Sequence, residues 1–121
     1  MNGTHADILR LYWAAFDREP DVGGAQWWID AYNRGEWPSL VRIAEHFAVS
    51  AEFVDTYGEL TNTEFVDAIY LNVLDRPGEA GGRAFWINEL NTDNRTRGEV
   101  LADFSYSNEF RANQPLPSDN L

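Results

Sequence analysis

The sequence predicts an all-α fold, a compact helical domain made of two tandem repeats that each contain three helices and a closing corner. Three observations support this prediction: apolar residues recur at helical spacing, no stretch alternates at period two, and one long segment occurs twice. Residues 11–33 return as residues 69–91, and FAVSAEF at 47–53 is answered by FSYSNEF at 104–110. A repeat of this length reports architecture before activity.

The duplication divides the chain into repeats at about residues 4–57 and 61–112, followed by a polar, Pro-containing tail at 113–121. We expect the two repeats to share one core, so the whole chain is a single domain. Identical residues at matched positions include the pairs Tyr12/Tyr70, Asp17/Asp75, Arg18/Arg76, Trp28/Trp86, Phe47/Phe104, Ser50/Ser107, Glu52/Glu109 and Phe53/Phe110.

Six main helices are predicted in matched pairs: 5–16 with 63–74, 22–34 with 80–91, and a third pair that begins after Ser39 and Thr96. A hydroxyl residue with an acid three positions later resembles a capping box at Thr4/Asp7, Thr61/Glu64 and Thr96/Glu99. Glycine pairs at 23–24 and 81–82 are predicted to let helices cross closely. Short S-x-E-F corners bring the total to about six to eight helices.

Composition excludes several classes of function. A net charge of −11 argues against nucleic-acid binding, which requires a surplus of basic residues on one face. No apolar run is long enough to insert into a membrane, and the chain has no cysteine for disulfide or thiolate chemistry. The N-terminus lacks the features of a cleavable signal peptide, which leaves a cytoplasmic location open.

The segment EFVDAIYLNVLDRPGEAGGRAFWINELN, followed by FSYSNEF, resembles the bacterial domain-of-unknown-function family numbered 4214, and the first repeat has the same elements. The resemblance implies small helical modules in secreted or cell-surface bacterial proteins, with no established enzymatic activity. A more distant similarity is to phycobilisome linker domains, which are assembly pieces. Those linkers are typically basic, so the acidic charge of this chain argues against a pigment-linker role.

Two matched Arg and Glu positions are predicted to form structural locks. Arg18 and Arg76 follow the first helix of each repeat, and Glu52 and Glu109 lie in the closing corners. We expect each arginine to pair with the glutamate of its own repeat through charge-assisted hydrogen bonds. This interpretation is preferred to a catalytic role for either carboxylate.

The acidic first turn raises a calcium hypothesis, since Asp17, Glu19 and Asp21 supply oxygen ligands. The spacing does not fit an EF-hand loop, because Val22 stands where that loop needs glycine. Helix capping and solvated charge explain these acids better. His5 and His46 lack matched metal-ligand companions, so no cofactor is expected, with calcium as the weak alternative.

Two tryptophans are the predicted partner contacts. Trp13, on the back of the first helix, and Trp37, in the linker, have no aromatic residue at the matched position, so the shared core does not require them. Trp28 and Trp86 are matched and are predicted to lie in the core. An alternative uses exposed tryptophans to bind carbohydrate.

The sequence contains none of the usual catalytic motifs, so we expect a protein that is not an enzyme. The predicted function is protein–protein interaction or structural assembly in a bacterial secreted, cell-surface or virion-associated complex. The alternatives are a carbohydrate-binding or glycan-processing domain and a calcium-dependent surface module. The expected partner is a protein of the assembly, and homo-oligomers are possible.

Overall fold

A computed structural model describes residues 3–18, 22–35 and 39–113. These residues form eight helices and no strand, which confirms the predicted all-α class. In chain order the helices are α1 Gly3–Phe16, α2 Val22–Asn33, α3 Leu40–Ala48, α4 Ala51–Tyr57, α5 Asn62–Leu74, α6 Ala80–Asn91, α7 Arg97–Ser105 and α8 Asn108–Asn113. The S-x-E-F corners therefore form two short helices of their own, α4 and α8.

Hydroxyl side chains cap the N-termini of several of these helices, as predicted. Thr61 and Thr96 form complete capping boxes with Glu64 and Glu99, and Ser39 accepts a hydrogen bond from the backbone of α3. Each cap satisfies backbone N–H groups that the helix itself leaves unpaired. The cap predicted at Thr4 is wrong, because α1 begins at Gly3 and Thr4 lies inside the helix.

The first helix of each predicted repeat, α1 and α5, is followed by an aspartate in the left-handed backbone region. Asp17 has φ 52° and Asp75 has φ 56°, and their N–H groups bond to the carbonyls of Trp13 and Leu71. Aspartate tolerates this conformation better than most residues because its short polar side chain bonds locally. The left-handed backbone conformation therefore explains why aspartate occupies this position in both repeats.

The core lies where α1, α3 and α7 meet. α7 packs most extensively against α3, and α1 packs against both. Fully buried side chains come from both halves of the chain, so the two predicted repeats share one core; they include Ile8, Leu11, Ile43, Phe53, Phe65, Val66, Ile69, Val100 and Leu101.

Close helix crossing depends on a glycine that the matching of repeats did not identify. A Cβ added at Gly98 on α7 would lie 2.7 Å from the Cα of Glu45 on α3. By contrast, Gly23 and Gly81 have nothing within 4 Å of such an atom, so their predicted role in helix crossing is wrong. Gly82 does face a neighbour, since its Cβ would lie 2.6 Å from the Tyr70 hydroxyl.

Candidate functional site

The structure brings together all four residues of the predicted locks. Arg18 donates to Glu52 through Nε at 3.0 Å and Nη2 at 2.9 Å. Arg76 donates to Glu109 in the same bidentate geometry, through Nε at 2.7 Å and Nη2 at 2.8 Å. Each pair joins the turn after a long helix to the short helix that closes the same half of the chain.

Each arginine also lies over a matched tyrosine. The guanidinium carbon is 5.0 Å from the ring centre in Arg18 over Tyr12 and 5.4 Å in Arg76 over Tyr70. Arg76 makes additional bonds to the Glu79 carboxylate at 2.8 Å and to the Pro77 carbonyl at 3.0 Å. The second pair is therefore part of a wider network.

Both ion pairs lie at the surface rather than in the interior. The side-chain exposure is 47% and 45% for Arg18 and Glu52, and 37% and 38% for Arg76 and Glu109. Solvent screens such pairs, so their strength comes from bidentate geometry more than from burial. The hydrogen bonds from Arg76 hold the pKa of Glu109 below its ordinary value of 4.5.

The Arg76–Glu109 pair predicts a specific loss of stability in acid. Because the pKa of Glu109 is lower in the folded chain than in the unfolded chain, the pair stabilises the fold above pH 4.5 and loses that contribution as pH falls through the folded pKa. Thermal unfolding followed from neutral to acidic pH should therefore show a flatter profile for Glu109→Gln than for the wild type.

Arg76→Ala provides the second arm of this test. It removes the partner of both Glu109 and Glu79, so its Tm at neutral pH should be lower than that of the wild type, and its acid profile should also be flatter. An Arg76→Ala protein with an unchanged Tm at neutral pH would show that the pair does not act as a lock.

Two equivalent pockets adjoin these ion pairs. The first pocket, of about 230 Å³, and the second, of about 100 Å³, are lined by identical residues at four matched positions. These residues are Tyr12, Trp28, Phe47 and Ser50 in the first pocket and Tyr70, Trp86, Phe104 and Ser107 in the second.

The aromatic rings have closely similar arrangements in the two pockets. In the first, the Phe47 ring centre is 5.1 Å from that of Trp28 and 5.7 Å from that of Tyr12. In the second, Phe104 lies 5.3 Å from Trp86 and 5.0 Å from Tyr70. Edge-to-face and tilted contacts of this kind fix the rings against each other.

One matched position gives the two pockets different chemistry. His46 lines the first pocket, with its ring centre 5.2 Å from that of Trp28, and Asp103 lines the second. Burial raises the pKa of Asp103. An ion pair between its carboxylate and Arg95, at 3.1 Å, acts in the opposite direction but does not cancel the effect of burial.

The matched tryptophans do not lie where the sequence predicted them. Trp28 and Trp86 were predicted to lie in the core, but both are only partly buried and form pocket walls while packing against the core from outside. Nothing in a single sequence distinguishes a ring inside a core from a ring at its edge.

The predicted partner contacts are placed differently from each other. Trp13 is partly buried and packs against the core, so little of it is available as a free surface. Its matched residue, Leu71, is 54% exposed. Trp37 lies outside the described residues.

The calcium hypothesis concerns residues that are largely outside the described ranges. Asp17 ends α1 in the left-handed conformation, whereas Glu19 and Asp21 are not described. Within residues 3–18, 22–35 and 39–113, no group of three or more His, Asp or Glu side chains is arranged to hold a metal ion.

Two exposed aromatic side chains, which the sequence places on the aromatic faces of the second helices, were not among the predicted partner contacts. Trp27 is 53% exposed and Phe85 is 50% exposed, and they occupy matched positions on α2 and α6. The signal was available, because adjacent residues on a helix point about 100° apart and a pair such as Trp27–Trp28 seldom faces the core entirely.

The chain is thus an all-helical domain with a shared core, two ion pairs at matched surface positions and two matched aromatic pockets. It belongs to the family described as Domain of unknown function (DUF4214), whose model matches residues 44–114, more than half of the chain. The matched range begins within α3 and continues into the segment after α8, so it crosses the boundary predicted between the repeats.

No curated protein and no solved structure gave a significant match to the chain. Across the described ranges, no helix has both the length and the apolar character needed to cross a membrane.

Proposed function

We propose that this domain is a non-catalytic protein-interaction module that presents rigid helix faces to a partner within a larger assembly. The observation that carries the proposal is the pair of exposed aromatic side chains at matched positions, Trp27 on α2 and Phe85 on α6. Each contacts the pocket tryptophan next to it, with ring centres 4.7 Å apart for Trp27–Trp28 and 5.0 Å apart for Phe85–Trp86.

Exposed aromatic rings of this kind suit an interface. Aromatic residues are enriched in protein–protein contacts because a large rigid ring buries much apolar area and loses little conformational freedom. A second pair of exposed apolar side chains, Val49 and Tyr106, follows α3 and α7 at matched positions. Their recurrence supports a surface with two similar contact regions.

Two finer statements belong to this proposal. The first is that the chain holds two tandem copies of the family repeat, supported by the identities at matched positions and by helix boundaries that recur along the chain. The second is that the assembly is a bacterial secreted, cell-surface or virion-associated one, which the family resemblance supports. The layout similarity to phycobilisome linkers is in line with assembly, although the charge of −11 disfavours a pigment linker.

Chemical crosslinking in the native host tests the proposal. An affinity-tagged wild-type chain should yield a specific crosslinked protein partner, and the double variant Trp27→Ala/Phe85→Ala should lose it, because truncating interface aromatics weakens binding. Leu71→Ala is the matched control, since Leu71 is equally exposed but lines neither pocket. Identical crosslinks from wild type and double variant would overturn the proposal.

Carbohydrate binding is a second candidate, favoured by the exposed indole of Trp27. Sugar rings pack against such faces, and a glycan array probed with the purified domain gives a direct measurement. Under our proposal the array shows no specific signal. A signal that disappears in Trp27→Ala would assign the carbohydrate function instead.

A further inference from the structure

The two pockets preserve their residues better than the core does. Matched core positions differ between the two halves, as in the pairs Ile8/Val66, Leu11/Ile69, Ile43/Val100 and Ala44/Leu101. Four pocket positions are instead identical, and at these positions Tyr12, Trp28 and Trp86 are only partly buried, whereas Tyr70, Phe47 and Phe104 belong to the core. Phe47/Phe104 and Phe53/Phe110 are identical core pairs, so the contrast is one of degree.

This contrast has a physical meaning. A core accepts Ile for Leu or Val for Ile provided that volume is roughly kept. Packing explains the buried Phe47/Phe104 pair, but it does not by itself require an identical, partly buried tryptophan beside a surface concavity in both halves. A shared ligand chemistry at the two pockets accounts for this identical tryptophan.

We propose that each pocket receives one apolar side chain from a basic segment of a partner protein, with Trp27 and Phe85 contacting the segment beside it. This inference rests on the proposed interaction function and adds the chemistry of the partner. It concerns the pockets themselves, whereas the proposed function concerns the exposed aromatic side chains.

The size of the pockets matches a single side chain. Sites for small-molecule ligands usually measure about 300–1,000 Å³, whereas these pockets measure about 230 and 100 Å³. Tyr, Trp and Phe rings line both pockets, four in the first and three in the second, which gives an apolar side chain dispersion contacts on several sides. Such anchor pockets typically carry much of the binding energy of an interface.

The serine hydroxyls at the pockets are already bonded within the protein. Ser50 Oγ donates to the Phe47 carbonyl and accepts from the Phe53 N–H, and Ser107 repeats both bonds with Phe104 and Phe110. A sugar needs hydrogen-bonding groups that are still available to it. An apolar side chain has no such need, so the bonded serines favour it over a sugar.

Charge indicates the character of the flanking residues. The chain carries −11, and at least five of its nine arginines pair with carboxylates of the same chain: Arg10, Arg18, Arg76, Arg83 and Arg95. Positive charge is thus largely matched internally, and the chain as a whole keeps an excess of negative charge. A basic segment is attracted to this surface, while a second copy of the chain is repelled.

Selection from a phage-displayed library of random short peptides on the immobilised chain tests the inference. We expect enrichment of peptides with an apolar residue flanked by Arg or Lys, and binding that weakens as salt is raised. Enrichment of acidic peptides, or of none, would overturn the inference.

Two filled-pocket variants localise the binding. His46→Trp and Asp103→Trp replace exposed pocket residues with a bulky ring. Each should lower the affinity of the chain for an enriched peptide by about tenfold or more, as expected for loss of an anchor contact. Leu71→Ala should leave its affinity unchanged. Equal affinity in both filled variants would refute the pocket assignment.

NMR on the wild-type chain gives a readout that needs no variant. The indole N–H signals of Trp28 and Trp86 should shift on addition of an enriched peptide and stay unchanged with chitotriose. Shifts caused by the oligosaccharide would assign the pockets to carbohydrate. The crosslinking experiment separates the two proposals. If the native partner is no longer crosslinked by Trp27→Ala/Phe85→Ala but is still crosslinked by both filled-pocket variants, the proposed function is supported and the pocket inference is wrong.

Discussion

Gly98→Ala should destabilise the fold, by about 1–3 kcal/mol, the range found when extra atoms are forced into a packed interior. The added Cβ would lie 2.7 Å from Glu45 Cα and 3.0 Å from Glu45 N, both backbone atoms that move only if α3 moves. Since α3 and α7 form the most extensive helix contact of the domain, a shift there disturbs the shared core. Urea unfolding measures the change in the free energy of unfolding.

Gly81→Ala is the matched control for this substitution. Gly81 lies in α6 with no neighbour within 4 Å of an added Cβ. Alanine in a helix is ordinarily better than glycine by about 0.5–1 kcal/mol, because glycine loses more backbone freedom on folding. Stabilisation by Gly81→Ala together with destabilisation by Gly98→Ala is the expected pattern, and a gain in stability from both would show that α3 and α7 are not held at this distance.

The periodicity of the chain was sufficient to predict its helices. Local signals, such as Thr61 with Glu64 and Thr96 with Glu99, fixed where α5 and α7 begin. The close approach at Gly98 was not predictable in the same way, because its matched residue is Val41, which is 38% exposed. Contacts between the halves are tertiary, and matching one half to the other does not reveal them.

The candidate site was predicted only in part, because matching the two halves reveals some contacts within a half but not how neighbouring helices pack. The Arg18–Glu52 and Arg76–Glu109 pairs could be inferred because each joins matched positions within one half of the chain. The pockets were missed because an identical aromatic residue such as Trp86 suits a core and a pocket wall equally well at the level of sequence. Only the packing of neighbouring helices decides how much of the ring stays exposed.

Arg97 is a further residue that matching did not identify, since the corresponding residue of the first half is Leu40. Its guanidinium donates to the carbonyls of Tyr57 at 2.9 Å and Leu60 at 2.6 Å. It also bonds to the side-chain oxygen of Asn62 at 3.1 Å. One side chain of α7 thus holds the connection between α4 and α5, where the two predicted repeats join.

Arg97→Ala should therefore destabilise the domain by about 2–3 kcal/mol, as expected when hydrogen bonds from a charged group are lost and backbone carbonyls lose their partner. Arg97→Lys keeps the charge but not the planar fork, so it should recover only part of the loss. Arg83→Ala, which removes a surface ion pair with Asp67, should have a much smaller effect. Urea unfolding of the three variants ranks them, and equal changes for Arg97→Ala and Arg83→Ala would show that Arg97 does not hold this junction.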